Sequence, residues 1–297
     1  MALQGRSSAV WSFTTAGPPP CAGGPGDFDA DCRADITVFR PSNGTWYQRY
    51  SQSAANGAVQ WGGIGDIPVN GDYDNDGRQD IAVFRPGNGT WYLLPSSTGA
   101  GQAIQWGTWG DVPVPGDYDA DGRTDAAVFR PGNGTWYVRF TRSGSGYALQ
   151  WGTQGDVPVP GDYDGDGKTD IAIFRPATGT WYIVVSSTAR VVGFQWGGSG
   201  DIAVPGDYDG DGLTDCAVFR PSTATWYVRY TRTGATADSP WGSGADQPVP
   251  GDYDGDGKTD LAVFRPSNAT WYVRYSSTGS LSVQWGSGDD IPILQRQ

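Results

Sequence analysis

The sequence predicts an all-β protein, a six-bladed β-propeller with four-stranded blades. Three observations lead to this prediction. A unit of 45 residues recurs six times, each unit contains short apolar segments separated by turn residues, and the two ends of the chain complement each other. Four strands within about 40–45 residues is the size of one propeller blade.

Each repeat is marked by an aspartate cluster, and the clusters begin near residues 27, 72, 117, 162, 207 and 252. After each cluster the chain runs through a segment such as IAVFRP, a turn, a segment such as TWYVRY, a variable loop and a segment such as VQWG. The turn before TWY contains Asn-Gly in three copies, which is a strong hairpin signal. These segments predict strands 2, 3 and 4 of each blade.

The remaining strand of each blade is predicted from the proline-containing segment before the cluster, such as DVPVP. Proline cannot donate a hydrogen bond to a sheet, so this strand belongs at the sheet edge that lines the central channel. A hairpin around the aspartate cluster then places Arg85 opposite Ile67 and beside Asp66. We therefore interpret the recurrent arginine at the end of strand 2 as the partner of a recurrent aspartate.

The chain termini predict how the ring closes. CAGGPG precedes the first cluster, where a proper strand 1 is missing, and the terminal DDIPILQRQ aligns as a spare strand 1. We expect residues 290–294 to pair with the strand Ile36–Arg40, so that residues 21–297 form the propeller. Residues 1–20 lie outside the repeat and are interpreted as the last strand and linker of a preceding immunoglobulin-like or fibronectin-like module. We expect a monomeric domain of a larger protein.

Each aspartate cluster reads D-x-D-x-D-G-x-x-D, the spacing of the first half of an EF-hand calcium loop. Aspartate and glycine also form turns without a metal. However, all six copies keep four aspartates, while position 7 varies among Arg, Lys and Leu, as expected if it offers only its carbonyl. Oxygen ligands of this kind suit Ca²⁺. The sequence therefore predicts about six Ca²⁺ ions, each on a β-hairpin, because strands rather than helices flank the loop.

The predicted ligands of the six loops, at positions 1, 3, 5, 7 and 9, are Asp27, Asp29, Asp31, Arg33 and Asp35; Asp72, Asp74, Asp76, Arg78 and Asp80; Asp117, Asp119, Asp121, Arg123 and Asp125; Asp162, Asp164, Asp166, Lys168 and Asp170; Asp207, Asp209, Asp211, Leu213 and Asp215; Asp252, Asp254, Asp256, Lys258 and Asp260.

The charge balance agrees with a metal-binding role. All 32 acidic residues are aspartates, 24 of them lie in the loops, and six Ca²⁺ ions would cancel the net charge of −12. An acidic chain argues against a nucleic-acid partner. No apolar run reaches the roughly 18 residues of a membrane helix, so we expect no membrane insertion.

The positions of the cysteines and tryptophans predict a disulfide, a buried thiol and an aromatic core between blades. Cys32 replaces the loop glycine of the first repeat and Cys21 lies just upstream, which predicts a disulfide. Cys216 takes a strand position and is expected to be buried and inert. The tryptophans of TWY and of QWG are interpreted as inter-blade core, and a role as sugar-binding platforms stays open as the alternative.

These motifs resemble the FG-GAP/VCBS repeat family, the calcium-loop repeats of integrin α-chain propellers and of bacterial surface proteins. The resemblance covers residues 27–294. It implies a β-propeller, a bacterial-type secreted protein at an extracellular or cell-surface location, and binding of proteins or glycans; some relatives are fungal lectins. Blades of 45 residues with a metal loop in every one depart from the integrin pattern.

The function expected from these observations is that of a non-catalytic extracellular calcium-binding module for binding or adhesion, with a glycan, surface protein or polymer as partner. A lectin-like multivalent role is included. The alternatives are the propeller part of a polysaccharide-degrading enzyme and a structural display or spacer domain. The chain has neither histidine nor glutamate, so acid–base catalysis would fall to aspartates, and only Asp238 and Asp289 lack a repeated role. No signal peptide is recognisable at the N-terminus.

Overall fold

The computed structural model describes residues 25–293, which form six four-stranded antiparallel sheets and contain no helix. The predicted six-bladed β-propeller is therefore confirmed. The predictions for residues 1–20 and for Cys21 lie outside the described residues. Within the described part, no segment forms a helix long and apolar enough to cross a membrane.

The strands fall into four sets. The innermost strands are β4 (Ile67–Pro68), β8 (Val112–Pro113), β12 (Val157–Pro158), β16 (Ile202–Ala203), β20 (Gln247–Pro248) and β24 (Ile291–Pro292). The second strands are β1 (Ile36–Arg40), β5 (Ile81–Arg85), β9 (Ala126–Arg130), β13 (Ile171–Arg175), β17 (Cys216–Arg220) and β21 (Leu261–Arg265). The third strands are β2 (Thr45–Arg49), β6 (Thr90–Leu94), β10 (Thr135–Arg139), β14 (Thr180–Val184), β18 (Thr225–Arg229) and β22 (Thr270–Arg274). The outer strands are β3 (Asn56–Gln60), β7 (Gln102–Gln105), β11 (Gly146–Gln150), β15 (Val191–Gln195), β19 (Thr236–Pro240) and β23 (Ser280–Gln284).

Two predicted details of the strands were wrong. The hairpin between strands 1 and 2 is shifted by one residue, because Ile67 pairs with Phe84 rather than Arg85 and Gly71 bridges to Asp80. Arg85 therefore reaches Asp66 directly. The outer strands end at Gln60 and its equivalents, so the tryptophan and glycine of QWG lie beyond the strand in the connection to the next blade.

The first blade is closed by both ends of the chain, as predicted. Strand β24 pairs with β1 through Val38–Pro292 and Phe39–Ile291. The guanidinium of Arg40 donates to both carboxylate oxygens of Asp290, at 2.7 and 2.8 Å. Ile293 is almost fully buried behind this strand.

The TWY tryptophans are the largest side chains of the core. All six are completely buried: Trp46, Trp91, Trp136, Trp181, Trp226 and Trp271. Each packs on the phenylalanine of the adjacent second strand with ring centroids 5.4–5.6 Å apart. The apolar clusters extend across blade boundaries; one joins Phe84 and Trp91 to Val128 of the following blade.

The QWG tryptophans link successive blades. The indole N–H of Trp61 donates to the carbonyl of Tyr92 in the next blade at 3.0 Å. The other five do the same, and Trp285 closes the circle by donating to Tyr47 at 3.2 Å. These side chains pack at the edges of the core clusters. Both tryptophan sets are therefore inter-blade core, as interpreted from the sequence.

Candidate metal centres

Each aspartate loop is the turn between an innermost strand and the second strand of the same blade. In the second blade, a β-bridge between Gly71 and Asp80 closes the hairpin around residues 72–79. Equivalent bridges close four further loops. The two strands therefore fix both ends of the loop, and the aspartates between them define its interior.

The position-1 aspartate shapes the turn. In the second blade, Oδ1 of Asp72 accepts the N–H groups of Asn75 and Asp76, at 2.6 and 3.2 Å, and Oδ2 accepts that of Gly77 at 2.9 Å. Gly77 has φ +84°, a left-handed conformation that favours glycine. In the first loop Cys32 takes this position with φ +71°, and its N–H donates to Asp27 in the same way.

The position-9 aspartate is a buried ligand candidate in every loop. Asp80 is completely buried, and its carboxylate accepts the N–H groups of Tyr73 at 2.8 Å and Ser96 at 2.6 Å. Burial raises the pKa of its carboxyl to about 7, and the neighbouring carboxylates add to the rise. Burial likewise raises the pKa of the other position-9 carboxyls, to about 7 for Asp35, Asp125 and Asp260 and to about 6 for Asp170 and Asp215.

The structure brings together the carboxylates of positions 1, 3 and 9. In each group, one oxygen from each residue lies within 4.8 Å of the others. Five of these groups are Asp27, Asp29 and Asp35; Asp72, Asp74 and Asp80; Asp117, Asp119 and Asp125; Asp162, Asp164 and Asp170; Asp207, Asp209 and Asp215. The described residues contain one further acidic group of this kind. Clustered carboxylates repel one another at such distances unless a cation lies between them.

A second feature also fits a cation. Oδ1 of the position-3 aspartate is buried without a hydrogen-bond partner in four loops, at Asp29, Asp74, Asp119 and Asp209. Leaving a charged oxygen buried and unpaired is costly. Carboxylate oxygens are the hard donors that Ca²⁺ prefers, and each triad can supply three of the roughly six to eight oxygens that the ion takes. The residues present therefore fit the predicted ion.

Position 5 is not a member of these groups. Oδ1 of Asp76 accepts the N–H of Arg78 at 3.0 Å, and Oδ2 accepts the hydroxyl of Ser96 at 2.6 Å. The same pair of bonds occurs at Asp31, Asp166 and Asp256. In these four loops, position 5 therefore links the loop to the turn after strand 3 and holds the main chain of position 7 in place.

Sequence reasoning missed the residues that brace the loops from the turn after strand 3. In the second, fourth and sixth blades this turn begins with two serines, and the second serine donates its hydroxyl to the position-3 aspartate: Ser97 to Asp74, Ser187 to Asp164, Ser277 to Asp254. In the third and fifth blades a Thr-Arg pair stands there instead. The alternation is visible in the sequence, but the 23-residue separation concealed its relation to the loop.

The arginines at the ends of the second strands are structural. Each donates to an aspartate just before the innermost strand, over 2.7–2.8 Å, and the six pairs are Arg40–Asp290, Arg85–Asp66, Arg130–Asp111, Arg175–Asp156, Arg220–Asp201 and Arg265–Asp246. Each guanidinium also stacks on the tyrosine of TWY at 4.3–4.8 Å. These pairs lie at the opposite end of the innermost strands from the aspartate loops.

The cysteines behave in two ways. Cys32 is disulfide-bonded, while Cys21 lies outside the described residues, so their pairing stays a prediction. Cys216 is a free thiol, almost fully buried in strand β17, and burial raises its pKa far above the ordinary range. It is therefore a packing residue at neutral pH.

Solved structures with the same fold share little sequence with the chain. A streptogramin B lyase superposes with a TM-score of 0.59 at 10% identity, over 94% of this chain and 92% of the lyase. A lectin from Agrocybe aegerita, which recognises non-reducing terminal N-acetylglucosamine, superposes with a TM-score of 0.56 at 17% identity. The match covers 87% of this chain and 75% of the lectin. TolB from Acinetobacter baumannii superposes with a TM-score of 0.61 at 15% identity, over 88% of this chain and 66% of TolB. At such identities these likenesses concern the fold alone.

Two repeat families match the sequence itself. No curated protein matches the chain. The FG-GAP-like repeat matches residues 72–128 and 207–263, and the FG-GAP repeat matches residues 245–283. The matched segments contain aspartate loops of the second, third, fifth and sixth blades. These segments of the chain therefore contain FG-GAP repeats, and the six-bladed fold is consistent with the FG-GAP repeat family.

Proposed function

We propose that this protein is a non-catalytic, calcium-stabilised propeller that serves as an extracellular binding or adhesion module. The observation that carries the proposal is the repetition of one carboxylate triad in five successive blades, with the position-3 oxygen left unpaired in four of them. Such a pattern has the regularity of a structural metal site.

In each loop the chain would hold Ca²⁺ by the carboxylates of positions 1, 3 and 9, with the main-chain carbonyl of position 7 as a further donor. The bound ion supplies positive charge that offsets the repulsion among these carboxylates. The position-1 aspartate also holds the turn, and the position-9 aspartate joins the loop to the turn after strand 3. Filling the site therefore stabilises contacts among three of the four strands of a blade.

Two observations support placement outside the cell. Extracellular calcium modules bind with dissociation constants of about 10⁻⁴–10⁻³ M, so sites of this kind fill only where calcium is abundant. Cys32 is disulfide-bonded, and disulfides persist in oxidising compartments.

The absence of local asymmetry favours a binding module over an enzyme. Asp238 and Asp289 are the two aspartates without a repeated role. The remaining carboxylates form loop sites or ion pairs with arginine. The likeness to a lyase is at the level of fold and suggests no reacting group in this chain.

Metal analysis and calorimetry test the calcium proposal. We expect six Ca²⁺ per chain after equilibration in millimolar calcium and gel filtration. The matched control is Asp74→Asn, which keeps the size of the side chain but removes the charge of one unpaired carboxylate, and it should bind five. Two or fewer ions in the unmodified chain would reject the proposal.

Glycan binding is the candidate ligand activity, and one surface favours it. A cleft between the fifth and sixth blades is lined by tyrosine rings together with charged and hydroxyl groups, among them Tyr230, Asp238, Arg274 and Tyr275. Aromatic faces beside a few polar groups suit a sugar ring. The Agrocybe aegerita lectin of the same fold binds N-acetylglucosamine, and a ring of similar blades would make weak sites multivalent.

A glycan array probed with the labelled chain, in millimolar calcium and in chelator, tests this activity. We expect calcium-dependent binding that increases steeply with glycan density. Arg274→Ser should weaken it, and Arg139→Ser on the equivalent strand of the third blade should weaken it to a similar extent, because each substitution alters one of the repeated weak sites. Binding with one tight site, independent of density, would instead indicate a unique pocket.

A further inference from the structure

The aspartate loops of successive blades are joined by main-chain hydrogen bonds. In each case the N–H of position 8 donates to the main-chain carbonyl of the position-1 aspartate in the preceding loop. The six bonds, over 2.6–2.8 Å, are Gln79 to Asp27, Thr124 to Asp72, Thr169 to Asp117, Thr214 to Asp162, Thr259 to Asp207 and Ala34 to Asp252. The last bond joins the first loop to the sixth, so the chain of bonds is a closed ring.

The peptide group that makes each bond also carries a predicted ligand atom. Between Arg123 and Thr124, the N–H bonds to the loop of the second blade, and the carbonyl is that of position 7 in the loop of the third. No peptide bond in the described residues is cis, so the carbonyl points away from the N–H. One rigid planar unit therefore lies between two adjacent metal sites.

The side chains around this peptide leave little freedom to move. A Cβ placed on Gly71 would lie 2.6 Å from the side chain of Thr124, so the threonine packs directly against the start of the preceding loop. Nη1 of Arg123 also donates to the carbonyl of Tyr73 in that loop, at 3.2 Å. A shift of either loop is therefore transmitted to the other.

We propose that the six loops bind cations as one coupled ring, in which a filled loop raises the affinity of its two neighbours. The proposal rests on the calcium function proposed above. A cation that draws electron density from the position-7 carbonyl makes the N–H of the same peptide a stronger donor, and hydrogen bonds in series strengthen one another. The acceptor is the carbonyl of the residue whose carboxylate belongs to the neighbouring site. Ala34 and Asp252 provide one of the six bonds. Cation binding in the first loop therefore also strengthens the contact between the first and sixth blades, where the ring closes.

A double-mutant cycle read by calorimetry tests the coupling. Asp74→Asn, Asp119→Asn and Asp209→Asn each remove the charge of a position-3 carboxylate whose Oδ1 is unpaired. The second and third blades are adjacent, whereas the second and fifth lie across the ring. The loops of the third and fifth blades are both followed by Thr-Arg. Each substitution is compared with itself in the two backgrounds, so other differences between these two loops cancel. The measured quantity is the product of the calcium binding constants.

In a coupled ring, Asp119→Asn costs less in the Asp74→Asn background than in the unmodified chain, because one link is already lost. The difference should be about fivefold, the low end of typical coupling between sites. Asp209→Asn should cost the same in both backgrounds. Equal costs in both backgrounds for both substitutions would overturn the coupling and leave the calcium function standing.

The unmodified chain supplies a test that needs no variant. A Hill coefficient above 1 in a calcium titration is expected, and a value of 1 or less would overturn the ring even if a variant fails to fold. An unmodified chain that binds no calcium at all would instead remove the proposed function. The two failures are thus distinguishable.

Discussion

Nε of Arg232 lies 2.6 Å from Oδ2 of Asp211, and its Nη2 donates to the main-chain carbonyl of the same residue at 3.1 Å. In the fourth blade the equivalent position is Ser187, whose hydroxyl donates to Asp164. The loop of the fifth blade therefore holds a fixed positive charge where the fourth has a neutral hydroxyl.

Replacing that charge should strengthen cation binding. We expect Arg232→Ser to raise the affinity of the fifth loop about two- to fivefold, the range of an exposed ion pair, with a smaller gain at high salt. Titration calorimetry at low and high ionic strength measures it. Arg142→Ser, at the same position of the third blade, is the control, because Arg142 makes no ion pair among the described residues. Equal gains from both substitutions would contradict a role of the Arg232–Asp211 contact.

Removing calcium should destabilise the whole domain. With a dissociation constant of about 10⁻⁴ M and about 1 mM free calcium, each site contributes about 1.4 kcal/mol, and six contribute about 8 kcal/mol. This is comparable to the whole stability of a typical domain, about 5–15 kcal/mol. We expect chelation to lower the Tm by about 15–30 °C or to unfold the chain. Identical melts in chelator and in calcium would show that the loops are turns without a metal.

The ion pair between Arg40 and Asp290 at the ring closure should contribute more to the free energy of unfolding than the equivalent pair between Arg265 and Asp246. Asp290 and Asp246 have equally buried side chains and equivalent bonds to Arg40 and Arg265. We expect Asp246→Asn to lower the free energy of unfolding by about 1–3 kcal/mol, as for hydrogen bonds to charged groups. Asp290→Asn should cost more, because β24 and β1 pair through as few residues as β20 and β21 but are not joined by a connecting loop. Denaturant unfolding in calcium measures both, and equal losses would show that closure is not the weakest junction.

The ion pair between Asp246 and Arg265 should make the stability of the domain depend on pH. Burial by itself raises the pKa of Asp246, but hydrogen bonds from Arg265 and Ser243 outweigh it, so the pKa lies below its ordinary value. A carboxyl with a lowered folded-state pKa contributes stability above its unfolded value, about 3.8, and loses it as the pH falls further. The stability difference between the unmodified chain and Asp246→Asn should therefore be constant near pH 7 and shrink below about pH 4. A difference that grows with acidity would refute this assignment.

The contact between neighbouring loops can be tested by steric overlap and its relief. A Cβ on Gly116 would lie 2.7 Å from Oγ1 of Thr169 in the next blade. We expect Gly116→Ala to lower the free energy of unfolding by about 1–3 kcal/mol, as overpacking does. The double variant with Thr169→Ala should recover much of this loss, since the first blade already has Ala34 at the threonine position. Additive losses in thermal melts would show that these residues are not in contact.

The sequence by itself determined the number of blades, the four strands of each, the closure by both termini and the aspartates of the loops. These features depend on local patterns: the 45-residue period, alternating apolar segments, and carboxylates spaced two residues apart before a glycine. The pairing of Ile36–Arg40 with the C-terminal strand followed from a missing and a spare copy of the same segment. Local geometry decides such features, so they can be read along the chain.

Only the tertiary structure decided which aspartates meet. It grouped Asp72, Asp74 and Asp80 and left Asp76 braced by Ser96, twenty residues further along the chain. It also shifted the inner hairpin by one residue, which joined Arg85 directly to Asp66. The bonds between neighbouring loops depend on how closely the blades approach in space. Spacing along the chain carries no record of that distance, because the packing of Trp and Phe side chains between blades determines it.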